Sequence, residues 1–307
     1  MSLNELIEEI IEESKIYIEN GNVATYIPEL GKMDKNILGI SITDFQGNIY
    51  NAGCTDVKFT LQSISKPIVL LLALLENGEE VFNKVGMEPT GDPFNSMIRL
   101  ETFDTGKPLN PMINAGAITV ASMIKGPNLM EKVNKVLNLI RLLANNDDIK
   151  INDKVFQSEL RTGHRNRAIA YFLKDNGIIE GNVDDALALY FKQCSVEVTT
   201  QDLANIAMVL ANDGIDFKTN RRLIPSHYAN LVKSLMLTCG LYDHSGEFAS
   251  IVGFPAKSGV SGGILGVAPR KLGIGVIGPA LDIKGNSIAG VKVLEKLSNV
   301  LDLNIFK

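Results

Sequence analysis

The sequence predicts a mixed α/β (α+β) fold in which a mostly antiparallel sheet is built from both ends of the chain. Strand patterns lie near the start and the end of the 307 residues, and helical patterns dominate from about residue 59 to residue 240. Strands and helices do not alternate regularly, as the βαβ units of a parallel sheet require. The simplest fold is therefore one sheet flanked by helices, with an inserted all-helical lobe.

The first predicted elements are a helix and a hairpin. Ser2 and Glu5 have the spacing of a capping box and precede isoleucines and leucines on one helical face, so a helix is expected up to Gly21. Alternating apolar residues at 38–42, followed by a turn sequence and a second apolar stretch, predict a β-hairpin.

Helical periodicity recurs in the central block, and strand patterns return after it. Helices are predicted at 130–143, 166–174, 183–191, 203–210 and 287–301, and late strands at 250–254, 264–268 and 272–277. We therefore expect a single domain over residues 1–307, with a sheet subdomain of about 1–60 and 245–307 and a helical lobe of about 61–244. The cleft between the two is the expected place for a ligand.

The composition favours a small-molecule substrate. Thirty Lys and Arg against 35 Asp and Glu give a net charge of −5, without the basic patch that nucleic acid or anionic lipid would require. The longest apolar run, 68–75, is too short to span a bilayer, and the N-terminus lacks the features of a secretory signal. Neither the cysteines nor the histidines have metal-binding spacing. We expect a cytoplasmic protein with no metal, cofactor, nucleic-acid partner or membrane partner.

Three motif-like strings do not fit their contexts. Residues 273–278 match a dinucleotide-binding fingerprint but lie within a strand-like run rather than between a strand and a helix. Residues 259–263 match a G-x-S-x-G elbow, but a second strand follows, so Ser261 is not expected to be a nucleophile. Ser122 and Lys125 form a Ser-x-x-Lys pair that runs directly into a helix-ending Gly-Pro.

A second Ser-x-x-Lys pair, Ser63 and Lys66, precedes a strongly apolar helical stretch. Helical residues three apart face the same side, so the two side chains should project together from the start of a buried helix. A serine hydroxyl becomes nucleophilic when a base takes its proton, and burial makes lysine a base by lowering its pKa. The alternative is that Ser63 caps a core helix while Lys66 extends to solvent.

The sequence Lys257-Ser258-Gly259 strengthens the catalytic interpretation. It has the form of the strand motif that accompanies Ser-x-x-Lys in serine acyl-transfer enzymes. It also comes after the Ser63 and Lys66 pair in the chain, which is the expected order. An edge strand at this position would direct a backbone N–H towards the acyl oxygen of a substrate. The two motifs together predict an active-site serine acyl-transfer enzyme.

At these residues the sequence resembles the serine-dependent glutaminases. The resemblance extends over nearly the whole chain in seven blocks, at 26–30, 59–67, 110–118, 158–159 with 165–166, 190–191, 239–243 and 257–263. It implies the fold of serine β-lactamases and penicillin-binding proteins, and hydrolysis of L-glutamine to L-glutamate and ammonia. It also implies a homodimer or homotetramer.

The resemblance further implies roles for individual residues. Ser63 would be the nucleophile, Lys66 its base, and Tyr242 an aid to proton transfer, while the backbone amides of Ser63 and Val260 would form the oxyanion hole. Lys257, Ser258 and Gly259 would support the site. The substrate pocket would be lined by Tyr26, Gln62, Ser63, Asn114, Glu159, Asn166, Tyr190, Tyr242 and Val260.

These residue types suit free glutamine, whose ammonium and carboxylate must both be paired once they leave water. Glu159 is the natural partner of the ammonium. Asn114, Asn166 and the tyrosine hydroxyls can hydrogen-bond the carboxylate. Two other interpretations stay open: a penicillin-recognising serine hydrolase, and a glutamine-binding module without turnover.

Overall fold

One antiparallel sheet combines strands from both ends of the chain, which confirms the predicted fold. The computed structural model describes residues 2–102 and 106–307. The strands are β1 (Gly39–Asp44), β2 (Ile49–Gly53), β3 (Phe59–Thr60), β4 (Lys150–Ile151), β5 (Val196–Val198), β6 (Ala256–Ser258), β7 (Gly263–Ala268) and β8 (Leu272–Ile277). The main sheet has the order β2-β1-β8-β7-β6, so β6 is an edge strand.

Helices occupy most of the chain between β3 and β6, and one further helix lies near each end of the chain. They are α1 (Leu3–Ser14), α2 (Ser65–Asn77), α3 (Val81–Lys84), α4 (Ile98–Thr102), α5 (Asn114–Ser122), α6 (Leu129–Ala144), α7 (Asp153–Thr162), α8 (His164–Asp175), α9 (Val183–Cys194), α10 (Thr200–Ala211), α11 (Ser226–Cys239), α12 (Ser245–Ile251) and α13 (Ile288–Leu301). The predicted capping box at Ser2 and Glu5 is present. Helix α1 ends at Ser14, however, and a 3₁₀ helix continues from it to Asn20.

The main sheet is covered by helices on both faces. Ile274 and Val276 of β8 belong to a core cluster with the apolar sides of α1 and α13. Gly273 and Gly275, which alternate with them, lie against α10 on the opposite face. Two of the three glycines of the dinucleotide-like string therefore serve close packing between a strand and a helix.

The predicted strand at 250–254 is wrong. Helix α12 extends to Ile251, and the strand begins only at Ala256. Phe248 and Val252 are four residues apart and both buried, which is the spacing of one helical face. Val252 and Phe254 therefore reach the core from the end of a helix and the turn that follows, whereas Ile251 is exposed.

A small second sheet within the helical block was not predicted from the sequence. Its order is β3-β5-β4, and its strands have only two or three residues each. Segments this short show no alternation to recognise. The division of the domain into a sheet subdomain and a helical lobe stays a prediction. Over the described ranges, 2–102 and 106–307, no helix is both long and apolar enough to cross a membrane.

Candidate active site

Ser63 lies in a tight turn between β3 and α2. The predicted helix start is corrected here: residues Gln62–Ile64 form a 3₁₀ turn, and the α-helix begins only at Ser65. Gln62 adopts a φ of 49°, in the left-handed region that a non-glycine residue rarely occupies. The hydroxyl of Ser65 donates to the carbonyl of Gln62 at 2.7 Å, which helps to hold this backbone. The strained turn fixes the position of Ser63 at the end of a buried helix.

Lys66 is buried in the first turn of α2, with 1% of its surface exposed. Its Nζ donates to the carbonyl of Met112 at 2.9 Å and to Oδ1 of Asn114 at 2.8 Å. Burial lowers the pKa of Lys66 to about 8, because the charged amine loses its hydration. The alternative in which Lys66 extends to solvent is therefore wrong.

Tyr242 approaches the same serine from the turn between α11 and α12. It adopts a φ of 57°, its ring lies 4.8 Å from that of Phe94, and its hydroxyl donates to the carbonyl of Ser258 at 3.4 Å. Burial raises the pKa of Tyr242 to about 12, and side-chain hydrogen bonds with Ser63 and Ser258 oppose this shift. Tyr242 is thus a neutral phenol in contact with the Ser63 hydroxyl.

Eight of the nine predicted substrate-binding residues line one pocket. They are Tyr26, Gln62, Ser63, Asn114, Glu159, Asn166, Tyr190 and Val260. Tyr242, the ninth, lies behind Ser63 and lines a neighbouring pocket instead, so its predicted contact with the pocket interior is not observed. Lys66 likewise lies beneath the pocket and reaches it through Asn114.

Asn114, at the start of α5, connects Lys66 to the pocket. Its Oδ1 accepts hydrogen bonds from Lys66 and, at 3.2 Å, from the hydroxyl of Tyr190. Its Nδ2 donates to Oδ1 of Asn166 at 2.9 Å. One side-chain amide therefore fixes groups from α2, α8 and α9.

Glu159 is a buried acid in the wall of the pocket. Nε2 of Gln62 donates to its Oε1 at 2.8 Å. Burial raises the pKa of Glu159 to about 8, while the hydrogen bond from Gln62 and the charge of Lys66 act in the opposite direction. An arriving ammonium would stabilise the ionised form, so the carboxyl suits a cationic ligand group.

The Lys-Ser-Gly sequence lies next to the serine. Lys257 and Ser258 belong to β6, and Gly259 packs so closely that a Cβ there would approach the carbonyl of Leu61 to 2.7 Å. Val260 follows in the turn and lines the pocket. Ser261, in the same turn, is buried and does not line the pocket, in agreement with its exclusion as a nucleophile.

Several pocket residues were not predicted from the sequence. They are Ile27, Phe94, Asn95, Thr162, Gly163, Arg165 and Phe191. Ile27, Arg165 and Phe191 fall within the blocks of the resemblance, so proximity in the chain could have indicated them. Phe94 and Asn95 come from a loop without a motif, and only the fold brings them to the pocket.

The main sheet with its helices and the pocket between them define a hydrolase with a β-lactamase-like fold. The glutaminase family model matches residues 21–306. The chain belongs to the glutaminase family, whose activity is the hydrolysis of glutamine.

Individual relatives support this assignment over the full length. A glutaminase of Clostridium botulinum is 56% identical over 305 residues, which are 99% of this chain and 100% of the relative. A glutaminase of Clostridioides difficile is 58% identical over 302 residues, 98% of each chain. A Bacillus subtilis glutaminase, solved as a covalent complex with 5-oxo-L-norleucine, is 39% identical with a TM-score of 0.91, over 99% of this chain and 100% of that one.

Proposed function

We propose that this glutaminase cleaves the side-chain amide of L-glutamine through a γ-glutamyl ester on Ser63, with Lys66 as the base. The observation that carries the proposal is the surroundings of Lys66. Its amine is buried and donates to two neutral oxygens, one on Met112 and one on Asn114. A neutral amine has two N–H donors and one lone pair, so these two bonds leave the lone pair available for the Ser63 proton.

The reaction proceeds in two halves. Lys66 takes the proton of Ser63 as its oxygen bonds to the amide carbon, and the carbonyl electrons move to an oxyanion held by the backbone amides of Ser63 and Val260. The tetrahedral intermediate collapses and ammonia leaves with a proton delivered by Lys66 or through Tyr242. Water then adds to the ester, Lys66 takes its proton, and glutamate departs as Ser63 is reprotonated.

The pocket selects a free amino acid. Glu159 pairs with the ammonium, and its ionisation on binding offsets the cost of burying that charge. Asn114 and Asn166 provide N–H donors for the carboxylate, and the Tyr190 hydroxyl can donate to it by turning away from Asn114. Tyr26 is 57% exposed and lines the pocket, so it contacts the ligand from the entrance.

The proposal extends to location and assembly. The three cysteines, Cys54, Cys194 and Cys239, are free thiols, which is typical of a reducing compartment and supports a cytoplasmic location. We also propose that the protein assembles as a homodimer or homotetramer. Its catalysis would involve no nucleic acid, membrane, metal or cofactor.

Replacement of the nucleophile tests the mechanism. Ser63→Ala should abolish ammonia release from glutamine, because the alanine cannot form the ester. It should also abolish covalent labelling by 6-diazo-5-oxo-L-norleucine, measured by intact-protein mass; this reagent gives a covalent complex with the Bacillus subtilis relative.

Ser122→Ala is the matched control, because Ser122 begins the other Ser-x-x-Lys pair and donates only to a carbonyl of its own helix. It should retain both activities. Substantial turnover by a folded Ser63→Ala protein would exclude Ser63 as the nucleophile. Hydrolysis of nitrocefin by the natural chain would favour the penicillin-recognising alternative.

A further inference from the structure

We propose that Lys257 is a positioning residue that holds Tyr242 against Ser63, so that its loss slows catalysis and leaves substrate binding nearly unchanged. The inference rests on the proposed function, because it concerns proton transfer through Tyr242. It assigns Lys257 a specific task beyond general support of the site.

Lys257 is a fully buried amine in the middle of the edge strand β6, with 0% of its surface exposed. Its Nζ donates to the carbonyl of Gly240 at 2.7 Å and to the carbonyl of Ser258 at 2.7 Å. A buried amine is costly unless it is hydrogen-bonded, so these two bonds are strongly favoured over any exposed arrangement. The bond to Gly240 joins the end of α11 to the edge strand, while the bond to Ser258 stays within the strand.

Three contacts connect this amine to Tyr242. Gly240, which accepts from the amine, precedes Tyr242 by two residues. The Nζ of Lys257 lies 4.3 Å from the centroid of the Tyr242 ring. The carbonyl of Ser258, the second acceptor, also accepts from the Tyr242 hydroxyl at 3.4 Å. Lys257 therefore contacts the backbone before Tyr242, its ring, and the acceptor of its hydroxyl.

The backbone around Tyr242 needs such support. Its φ of 57° is disfavoured for a side chain of this size and persists only where the surroundings impose it. A Cβ at Gly240 would lie 1.8 Å from the carbonyl of Ala256, so the segment runs directly against β6. Without the amine, the carbonyls of Gly240 and Ser258 each lose their shorter hydrogen bond, and the segment keeps only the longer bonds, of 3.3 and 3.4 Å, to hold it against the strand.

The geometry separates catalysis from binding. Among the described residues, those that line the substrate pocket do not include Lys257 or Tyr242, whereas Tyr242 is hydrogen-bonded to Ser63. Loss of Lys257 should therefore misplace the phenol without changing the walls that hold glutamine. A lower kcat with an unchanged KM is the signature of an interaction made only in the transition state.

The test is a double-mutant cycle with Lys257→Met and Tyr242→Phe, read as kcat and KM for ammonia release from glutamine. Lys257→Met should lower kcat by about 100-fold, as expected when a reacting group is misplaced by about an ångström, and leave KM within about threefold. In the Tyr242→Phe background the same substitution should change kcat by less than about threefold, because the group that it positions is already absent.

Lys233→Met is the matched control. Lys233 is also buried, and it lies on α11, but its Nζ pairs with Asp213 at 2.6 Å and not with the segment around Tyr242. This variant should melt at a lower temperature and keep its kcat. If Lys257→Met does not fold, Lys257→Gln, which keeps N–H donors, replaces it in the same cycle.

Three results would overturn the inference: an unchanged kcat in Lys257→Met, an equal loss in both backgrounds, or a Tyr242→Phe protein with the natural kcat. None of these would remove Ser63 as the nucleophile. That part of the proposed function fails only if Ser63→Ala stays active, so the two failures are distinguishable.

Discussion

Lys66 and Glu159 are a buried base and a buried acid whose pKa values both lie near 8. Burial penalises each charge, so it lowers the pKa of the amine and raises that of the acid. Near neutral pH each group is therefore close to the protonation change that it must make. Lys66 must be neutral to accept the Ser63 proton, and Glu159 must be ionised to hold an ammonium.

The pH dependence of kcat should report Lys66. In the substrate complex the ammonium keeps Glu159 ionised, so the amine is the group still to lose its proton. Below pH 8 the fraction of Lys66 that is neutral grows about tenfold per pH unit. We therefore expect kcat to rise about tenfold per pH unit in this range and to level off above about pH 9. Steady-state rates from pH 6 to 10 measure this.

The ratio kcat/KM should rise more steeply over the same range, because in the free protein Glu159 must also lose its proton. A kcat that is flat or falls between pH 6 and pH 8 would contradict a neutral Lys66 as the base. Circular dichroism at each pH is the control that the protein stays folded.

At the scale of residues, the sequence predicted the pair at the centre of the site better than the pocket around it. Ser63 and Lys66 are close in the chain, and their chemistry follows from their spacing. Phe94 and Asn95 reach the pocket from a loop whose position depends on the packing of distant elements. The local sequence does not show how distant elements pack, so it could not predict these two pocket residues. For the same reason it could not predict the contact between Lys257 and Tyr242.

At the scale of elements, β8 and α10 pack more closely than ordinary side chains allow. Gly273 and Gly275 leave the face of β8 open, so the backbone of α10 lies directly on the strand. Polar contacts continue onto β1, where Ser41 and Thr200 are hydrogen-bonded at 2.7 Å. Glycines spaced along a strand are typical of close approach by a neighbouring element.

Gly275→Ala should destabilise the fold through this contact. The added Cβ would lie 2.0 Å from the carbonyl of Thr200 and 2.7 Å from the Cβ of Leu203, so helix and strand must separate. We expect the free energy of unfolding to fall by about 3 kcal/mol, the upper part of the range for overpacked cores. Urea unfolding followed by circular dichroism measures the change.

Gly246→Ala is the control for the same chemical change, because a Cβ at Gly246 in α12 meets no atom within 4 Å. It should leave stability within about 1 kcal/mol of the natural chain, or raise it, since alanine favours a helix. An unfolding midpoint for Gly275→Ala equal to that of the control would show that α10 does not rest on the strand.

The misassigned strand at 250–254 shows where such prediction fails. Residues 250–254 include three apolar residues and were expected to form a strand, but α12 and a turn occupy most of them. Short apolar runs fit both a buried strand and a buried helix end, and the choice depends on tertiary packing. The 3₁₀ turn at Ser63 has the same origin, because Leu61 and Gln62 are fixed by β5, Glu159 and the turn after β6.

At the scale of the whole molecule, the main sheet belongs to two cores at once. On β7, Leu265 lies in the cluster formed with the central helices, while its neighbour Ile264 lies in the cluster formed with α1 and α13. Both residues are fully buried, on opposite faces of one strand. Loss of either cluster exposes one face of the same sheet, so neither can unfold independently.

We therefore expect the chain to unfold in a single cooperative transition. Leu265→Ala and Ile264→Ala each leave a cavity that costs about 2–5 kcal/mol, and each should move the whole melting curve to a lower temperature. Calorimetry at a fixed protein concentration, with loss of ammonia release as a second probe, measures this; the concentration is fixed because assembly shifts a melting temperature. Two transitions, of which Leu265→Ala moves one and Ile264→Ala the other, would show two independent lobes. A single transition requires that both substitutions move the same melting curve, because a sheet packed on both faces loses stability when either core weakens.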